Sequence, residues 1–117
     1  DPQSCDPLYR RAVRVSMGQV FSVPHTQVPS IPKAINALSE MGFLTIALTP
    51  DPKSQNLSEI LNETSRPTVL IIGSEGFGLS TNSLTTADCT AKIPMHNNVD
   101  SLNVATSLAI ALYAVQT

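Results

Sequence analysis

The stretch Leu70-Ile71-Ile72-Gly73-Ser74-Glu75-Gly76-Phe77-Gly78-Leu79-Ser80 carries the first pattern with chemical content. An apolar run enters a loop with three glycines. Glycine lets the main chain approach a ligand closely and adopt positive φ. Loops at the carboxyl ends of parallel strands are where such sheets hold ligands. The spacing is not G-x-G-x-x-G, and no Gly-Lys-Ser/Thr follows, so neither a dinucleotide fingerprint nor a phosphate loop is supported. A plain chain reversal would also use these glycines. Glu75 is harder to assign to structure, because an acid among glycines adds nothing to a core.

The second pattern is Ile93-Pro94-Met95-His96-Asn97-Asn98-Val99-Asp100-Ser101-Leu102-Asn103-Val104-Ala105. A strand ends, a polar loop intervenes, and an apolar helix begins. Asp100 or Ser101 is a natural N-cap. The helix start offers unpaired N–H groups to a carboxylate or phosphate. The bland reading is a solvated loop of His96, Asn97 and Asn98 in which Asn103 caps or hydrogen-bonds locally. A third pattern is Arg10, Arg11 and Arg14, where the i, i+4 spacing puts Arg10 and Arg14 on one helix face. That face is either simply solvated or in contact with an RNA phosphate. His25 has no second histidine or acid at ligand spacing, so no metal is assigned.

Elements must hold these groups. Asp6-Pro7 opens an amphipathic run over 8–15, read as a helix with Pro7 at its first position and Gly18 as its end. Val20-Phe21-Ser22-Val23 reads as a short strand stopped by Pro24. Ser30 caps a second helix, with Ala34, Ile35, Leu38 and Met41 at helical spacing and Gly42 as terminator. Residues 43–48, 68–72 and 89–93 read as three strands, and a short helix starts near Ser80. The polar stretch 53–66 holds one helical turn around 57–61, and 102–115 forms the last helix. Strands without polar alternation are buried on both faces, the mark of a parallel sheet with helical crossovers. The class is α/β. The last helix is apolar nearly all round, so one face meets the sheet and the other meets a second subunit.

Length and composition set limits. A chain of 117 residues corresponds to one domain. Hydrophobic residues make up 42% and charged residues 14%, which excludes a disordered chain. A formal charge of −2 excludes a strongly basic nucleic-acid footprint over the whole chain. No tryptophan and five other aromatics disfavour a stacking platform for single strands. No apolar run is long enough to span a membrane. Cys5 and Cys89 are far apart and outside any C-x-x-C pair, so they read as free thiols of a reducing compartment.

The two loops together resemble two signatures of the SpoU (TrmH-like) branch of the SPOUT RNA methyltransferases. Residues 70–80 are similar to the second signature. Residues 93–105, with Ile-Pro-Met and then Ser-Leu-Asn-Val, are similar to the third. Arg14-Val15-Ser16-Met17-Gly18, with Phe21 and Pro24, resembles the segment that family places after its first signature. The resemblance covers essentially the whole chain, in order. It implies a parallel α/β sheet flanked by helices with a C-terminal trefoil knot, a topology that ordinary connection rules treat as nearly absent. It also implies a cytoplasmic homodimer that binds S-adenosyl-L-methionine and transfers a methyl group to a ribose 2′-hydroxyl of rRNA or tRNA, with no metal.

By motif, the cofactor would rest on Leu48 and Thr49, on Gly73, Ser74, Glu75 and Gly76, and on Ile93, Met95, Ser101 and Leu102. Main-chain groups would hold the adenine, and Ile93 and Leu102 would wall it. Glu75, Ser101 and Asn103 match the family's polar active-site positions. Methyl transfer needs in-line positioning and a route for the hydroxyl proton. Glu75 and Asn103 would position groups, and Ser101 would assist the substrate or a water. The family's first signature supplies an asparagine and a catalytic arginine, and nothing in residues 1–7 matches it. The expectation is the C-terminal portion of a longer enzyme, lacking an N-terminal strand–helix unit and any RNA-binding domain, and inactive alone. Asn97 or Asn98 stands where the family often has glycine. The alternative reading is a non-catalytic dimeric scaffold for RNA or protein. A different nucleotide-binding domain would need a phosphate cradle that the glycine spacing does not provide.

Overall fold

The computed structural model describes residues 1–74, 76–96 and 102–116. Its contacts divide into two compact units, Asp1–Ile31 and Pro32–Thr117.

In the first unit, α1 spans Arg10–Val15. It starts three residues later than Pro7, the predicted first position. The Asp6 carboxylate accepts the Leu8 N–H at 2.9 Å, and the Asp6 carbonyl accepts the Tyr9 N–H at 3.0 Å. This turn uses up the residues after Pro7. Gly18, at φ +79°, follows α1 in the left-handed region where glycine carries no Cβ penalty. The strand expected over 20–23 is instead a 3-10 helix, Gln19–Ser22. The Phe21 N–H reaches the Gly18 carbonyl and the Val23 N–H reaches that of Val20. Local bonds three residues apart replace a ladder that would have needed a partner strand.

The second unit is a four-stranded parallel sheet with helices on both faces. Its elements are α2 (Ile31–Glu40), β1 (Leu44–Leu48), β2 (Gln55–Asn56), α3 (Leu57–Glu63), β3 (Thr68–Ile71), α4 (Thr81–Thr86), β4 (Cys89–Lys92) and α5 (Val104–Gln116). The strand order is β2-β4-β1-β3. Leu44 pairs with Thr68, Ile46 with Leu70 and with Cys89, and Gln55 with Ala91. Gly42, at φ +96°, ends α2 as predicted, with its N–H on the Ser39 carbonyl and the Phe43 N–H on that of Leu38. The two-residue β2 is not anticipated in the polar 53–66 stretch, and α3 is longer than the single turn expected there.

Central β1 explains the absence of alternation. Thr45, Ile46 and Ala47 are all fully buried, because helices cover both faces. Ile46 packs with Leu57 and Ile60 of α3, Ala91 of β4 and Ala111 of α5. On the other face, Ser39 of α2 meets Thr45, oxygen to oxygen, at 3.3 Å. Burying an aliphatic side chain of this size stabilises by roughly 1.5–3 kcal/mol. Small Ala91 and Ala111, both fully buried, let α5 come close to the sheet.

The amino ends of the strands are held by Asp88. One carboxylate oxygen accepts the Thr45 N–H at 2.9 Å, the Thr45 hydroxyl at 2.9 Å and the Ser39 hydroxyl at 3.2 Å. The Thr45 hydroxyl oxygen in turn accepts the Asp88 N–H at 2.9 Å. Arg66 lies 3.8 Å from that carboxylate and donates to the Gly42 and Phe43 carbonyls. The trefoil knot expected of the C-terminal segment depends on the connection through residues 97–101, which lies outside the described residues.

Candidate functional site

At the carboxyl ends of the strands, three loops meet around a cleft of about 1200 Å³. The first follows β1. The Thr49 N–H donates to the Ala91 carbonyl at 2.9 Å and extends the sheet by one bond. The chain then turns through residues 50–54. The Thr49 hydroxyl accepts the Asp51 N–H at 3.3 Å, and the Asp51 carboxylate accepts the Lys53 N–H at 2.9 Å. Two side-chain contacts tie this turn to β4. The Ser54 and Thr90 hydroxyls are 3.1 Å apart, and the Lys92 Nζ donates to the Pro52 carbonyl at 2.7 Å.

The second loop follows β3. The Gly78 N–H donates to the Ser74 carbonyl at 3.0 Å, and the Ser74 hydroxyl accepts the Phe77 N–H at 3.2 Å. Gly78 has φ +67°. A Cβ on Gly73 would run into the main chain of Gly78 and Leu79. The first glycine is therefore required by the loop's closure on itself. Gly76 has open space where its Cβ would be. Ser80 then caps α4, its hydroxyl accepting the Ser83 N–H at 3.2 Å. This agrees with the helix start predicted near Ser80.

The third loop runs from β4 to α5. Its described part supplies Ile93, Pro94, Met95, Leu102 and Asn103 to the cleft. Asp100 and Ser101, the predicted caps, lie outside the described residues, and the N-cap of α5 is Asn103, in line with the bland reading of this loop. The Asn103 side-chain oxygen accepts the Ala105 N–H at 2.9 Å, and its carbonyl accepts the Ser107 N–H at 2.9 Å. Asparagine is as good a cap as aspartate or serine, and it stands directly before the first helical residue.

Of the predicted site residues, Leu48, Thr49, Gly73, Ser74, Gly76, Ile93, Met95, Leu102 and Asn103 all line this one cleft. Glu75 and Ser101 lie outside the described residues. Sequence reading missed Asp51, Lys92 and Ser107, which also line it. The signal for Lys92 was its place at the end of β4, one residue before Ile93, where a long side chain leaves the sheet at its loop edge. Among the described residues no group of three His, Cys, Asp or Glu side chains could hold a metal ion, and no helix is long and apolar enough to cross a membrane. Cys5 and Cys89 are free thiols. Burial, and then the neighbouring Asp88 charge, push the Cys89 thiol pKa up. A raised value keeps it protonated and unreactive.

A cleft of mixed polar and apolar lining, with main-chain turns on its rim, suits a flat heteroaromatic ligand with polar edges. Residues 1–113 match the model of the SpoU rRNA Methylase family, and the chain belongs to that family. It is 43% identical over 109 residues to an uncharacterised tRNA/rRNA methyltransferase of Mycobacterium bovis, covering 92% of this chain and 38% of that protein. It is 33% identical over 88 residues to the tRNA (guanosine(18)-2′-O)-methyltransferase of Thermus thermophilus, covering 75% of this chain and 44% of that one. The fold superimposes on the AdoMet-bound rRNA methyltransferase of Sinorhizobium meliloti with a TM-score of 0.86, at 29% identity over 97% of this chain and 42% of that one. The chain thus spans less than half the length of these relatives.

Proposed function

We propose that this chain is the cofactor-binding, dimerising portion of an S-adenosylmethionine-dependent methyltransferase acting on a ribose 2′-hydroxyl of rRNA or tRNA in the cytoplasm. The observation that carries the reading is the convergence of the loops after β1, β3 and β4 on one cleft. Support comes from the AdoMet-bound Sinorhizobium meliloti enzyme and from the 2′-O specificity in the name of the Thermus thermophilus enzyme.

The residues present fit the cofactor. Leu48, Ile93 and Leu102 offer apolar walls, and the closed 73–78 turn offers main-chain groups. When bound, S-adenosylmethionine supplies an electrophilic methyl group. The chain's own work is to hold the ligand, exclude water and orient the acceptor. Glu75 and Ser101 are assigned to positioning the acceptor and assisting it or a water. Asn103 is assigned to positioning groups at the rim where α5 begins, with its amide oxygen accepting the Ala105 N–H. The catalytic arginine is assigned to a part of the protein other than residues 1–117. The homodimer is assigned to α5, where Ile110, Leu112 and Tyr113 are exposed. The knot belongs to the same proposal.

Calorimetric titration with S-adenosylhomocysteine tests the binding half, with one site per subunit expected on a dimer. A folded dimer that takes up no ligand would favour the scaffold reading. The reaction half is tested by methyl transfer to RNA followed by alkaline digestion. Ribose methylation removes the 2′-hydroxyl that attacks the neighbouring phosphate, so label should survive in dinucleotides. Label in mononucleotides would overturn the 2′-O assignment, and transfer by the 117-residue chain alone would overturn the placement of the arginine elsewhere.

A further inference from the structure

Three of the chain's seven lysines and arginines fall within five residues, at Arg10, Arg11 and Arg14. All three are exposed, while Ala12 and Val13 between them are half-buried. At 3.6 residues per turn the three arginines share an arc of about 100°, opposite those two apolar residues. The helix therefore presents a cationic side to solvent and an apolar side to its own unit.

The charges on that side are not neutralised locally. The unit has two acids, Asp1 and Asp6. The Asp1 carboxylate accepts the Gln3 and Ser4 N–H groups and the Ser4 hydroxyl, and that of Asp6 accepts the Leu8 N–H. Among the described residues no carboxylate forms an ion pair with Arg10, Arg11 or Arg14. Arg66 and Lys92, by contrast, are engaged with main-chain carbonyls. The turn after α1 is also fixed. The Ser16 hydroxyl donates to the Val13 carbonyl at 3.0 Å, and the Gly18 N–H donates to the same carbonyl at 3.0 Å.

We propose that this arginine face of α1 is a phosphate-contact surface for the RNA substrate, distinct in role from the ligand cleft. The proposal rests on the RNA-modifying reading above. Guanidinium groups match phosphate oxygens in pairs, and three on one short arc suit successive phosphates of a backbone. In a chain of net charge −2, such contact has to be local. These arginines supply affinity and register but no sequence readout, because phosphates carry none.

The test is binding of fluorescently labelled unfractionated tRNA to the 117-residue chain across a series of salt concentrations. For Arg10→Gln/Arg11→Gln/Arg14→Gln the affinity at about 100 mM salt should fall roughly tenfold or more, and the log–log salt slope should drop by about two. The triple lysine variant should keep most of the slope. Lys33→Gln, which removes one exposed cation elsewhere, should leave it unchanged. S-adenosylhomocysteine affinity and light-scattering mass should be the same in all variants. Absence of tRNA binding by the wild type, or an unaltered slope in the triple glutamine variant, would overturn the proposal. A halved mass in that variant would also overturn it, by assigning the face to a protein interface. Wild-type protein that binds tRNA through these arginines but ignores S-adenosylhomocysteine would sink the methyltransferase reading and leave this surface standing.

Discussion

The two ends of the same sheet are built on opposite rules. At the amino ends, polar groups satisfy one another: Asp88, Thr45, Ser39 and Arg66 form one network around the starts of β1 and β4. At the carboxyl ends, the loops bond mostly within themselves and leave a cleft of about 1200 Å³ between them. One end closes the molecule and the other opens it. Both are polar, so polarity alone does not mark a binding site. What marks it is a set of turns whose internal bonds fix their shape without filling the space they enclose. Substitutions at the two ends should therefore separate cleanly into effects on stability and effects on ligand binding.

Gly73 should give the largest effect. Alanine there collides with the Gly78–Leu79 main chain, so the whole turn must shift. Losing one or two hydrogen bonds between this turn and a ligand costs about 1–3 kcal/mol, roughly tenfold to a hundredfold in affinity. Gly73→Ala should lower S-adenosylhomocysteine affinity by roughly that factor, read by calorimetry, while the urea midpoint moves little. A large loss of stability with intact affinity would reverse the comparison.

Asp88 should show the converse. Its carboxyl is held below the usual carboxylate range, chiefly by the Thr45 N–H, then by the Thr45 and Ser39 hydroxyls and Arg66, against the opposing effect of burial. The folded value is lowered, so the stabilisation is complete above the unfolded pKa of about 3.9 and is lost as pH falls through the folded value. Asp88→Asn should destabilise by about 1–3 kcal/mol at pH 7, the lower part of that range being favoured because the side chain is 31% exposed. Below about pH 4 the gap between wild type and variant should narrow. Urea unfolding at several pH values reads both, and ligand affinity should stay within about twofold. A gap that widens in acid would rule out this carboxylate as the cause.

The fold was legible where burial dictates residue type. The largely apolar runs of β1 and β3, without polar alternation, announced a covered parallel sheet, and Gly42 announced the end of α2. Where hydrogen bonds between neighbours decide the outcome, apolar pattern misled. Val20 and Phe21 have strand-like side chains, yet Gly18 turns the backbone into a 3-10 helix. The two residues of β2 are polar, and only the Ser54–Thr90 contact and the pairing with β4 make them a strand. The cleft was legible through the joint resemblance of the 70–80 and 93–105 loops to two family signatures, because the glycine spacing alone fits a plain chain reversal equally well. Lys92 was not, because one cation in a sequence does not reveal which carbonyl it will reach.

Asn103 sits on the boundary of the comparison, since it caps a structural helix and lines the cleft. Asn103→Ala should cost about 1 kcal/mol as a lost N-cap. Asn103→Ser keeps a capping oxygen and should recover most of that in thermal unfolding. If capping were its whole role, serine would also restore full methyl transfer in the longer enzyme. The proposed positioning role, which needs the amide beyond the cap, requires instead that transfer stay impaired while stability recovers.

The smallest effect is expected at Lys92, whose bond to the Pro52 carbonyl ties the 50–54 turn to β4. Lys92→Met keeps the aliphatic stem and removes the donor. An exposed hydrogen bond of this kind contributes about 0.5–1.5 kcal/mol at most, and the Ser54–Thr90 contact remains to hold the turn. Overall stability should therefore change little, because the turn is a rim and not part of the core around Ile46. Ligand affinity should fall about threefold to fivefold, because the wall formed by Pro50, Asp51 and Pro52 loses one of its two ties. Lys92→Arg, which can still donate to that carbonyl, should restore it. Equal loss of affinity in the methionine and arginine variants would show that the ammonium meets the ligand directly and does not act through the turn. That result would move Lys92 from the frame of the cleft into its contact surface.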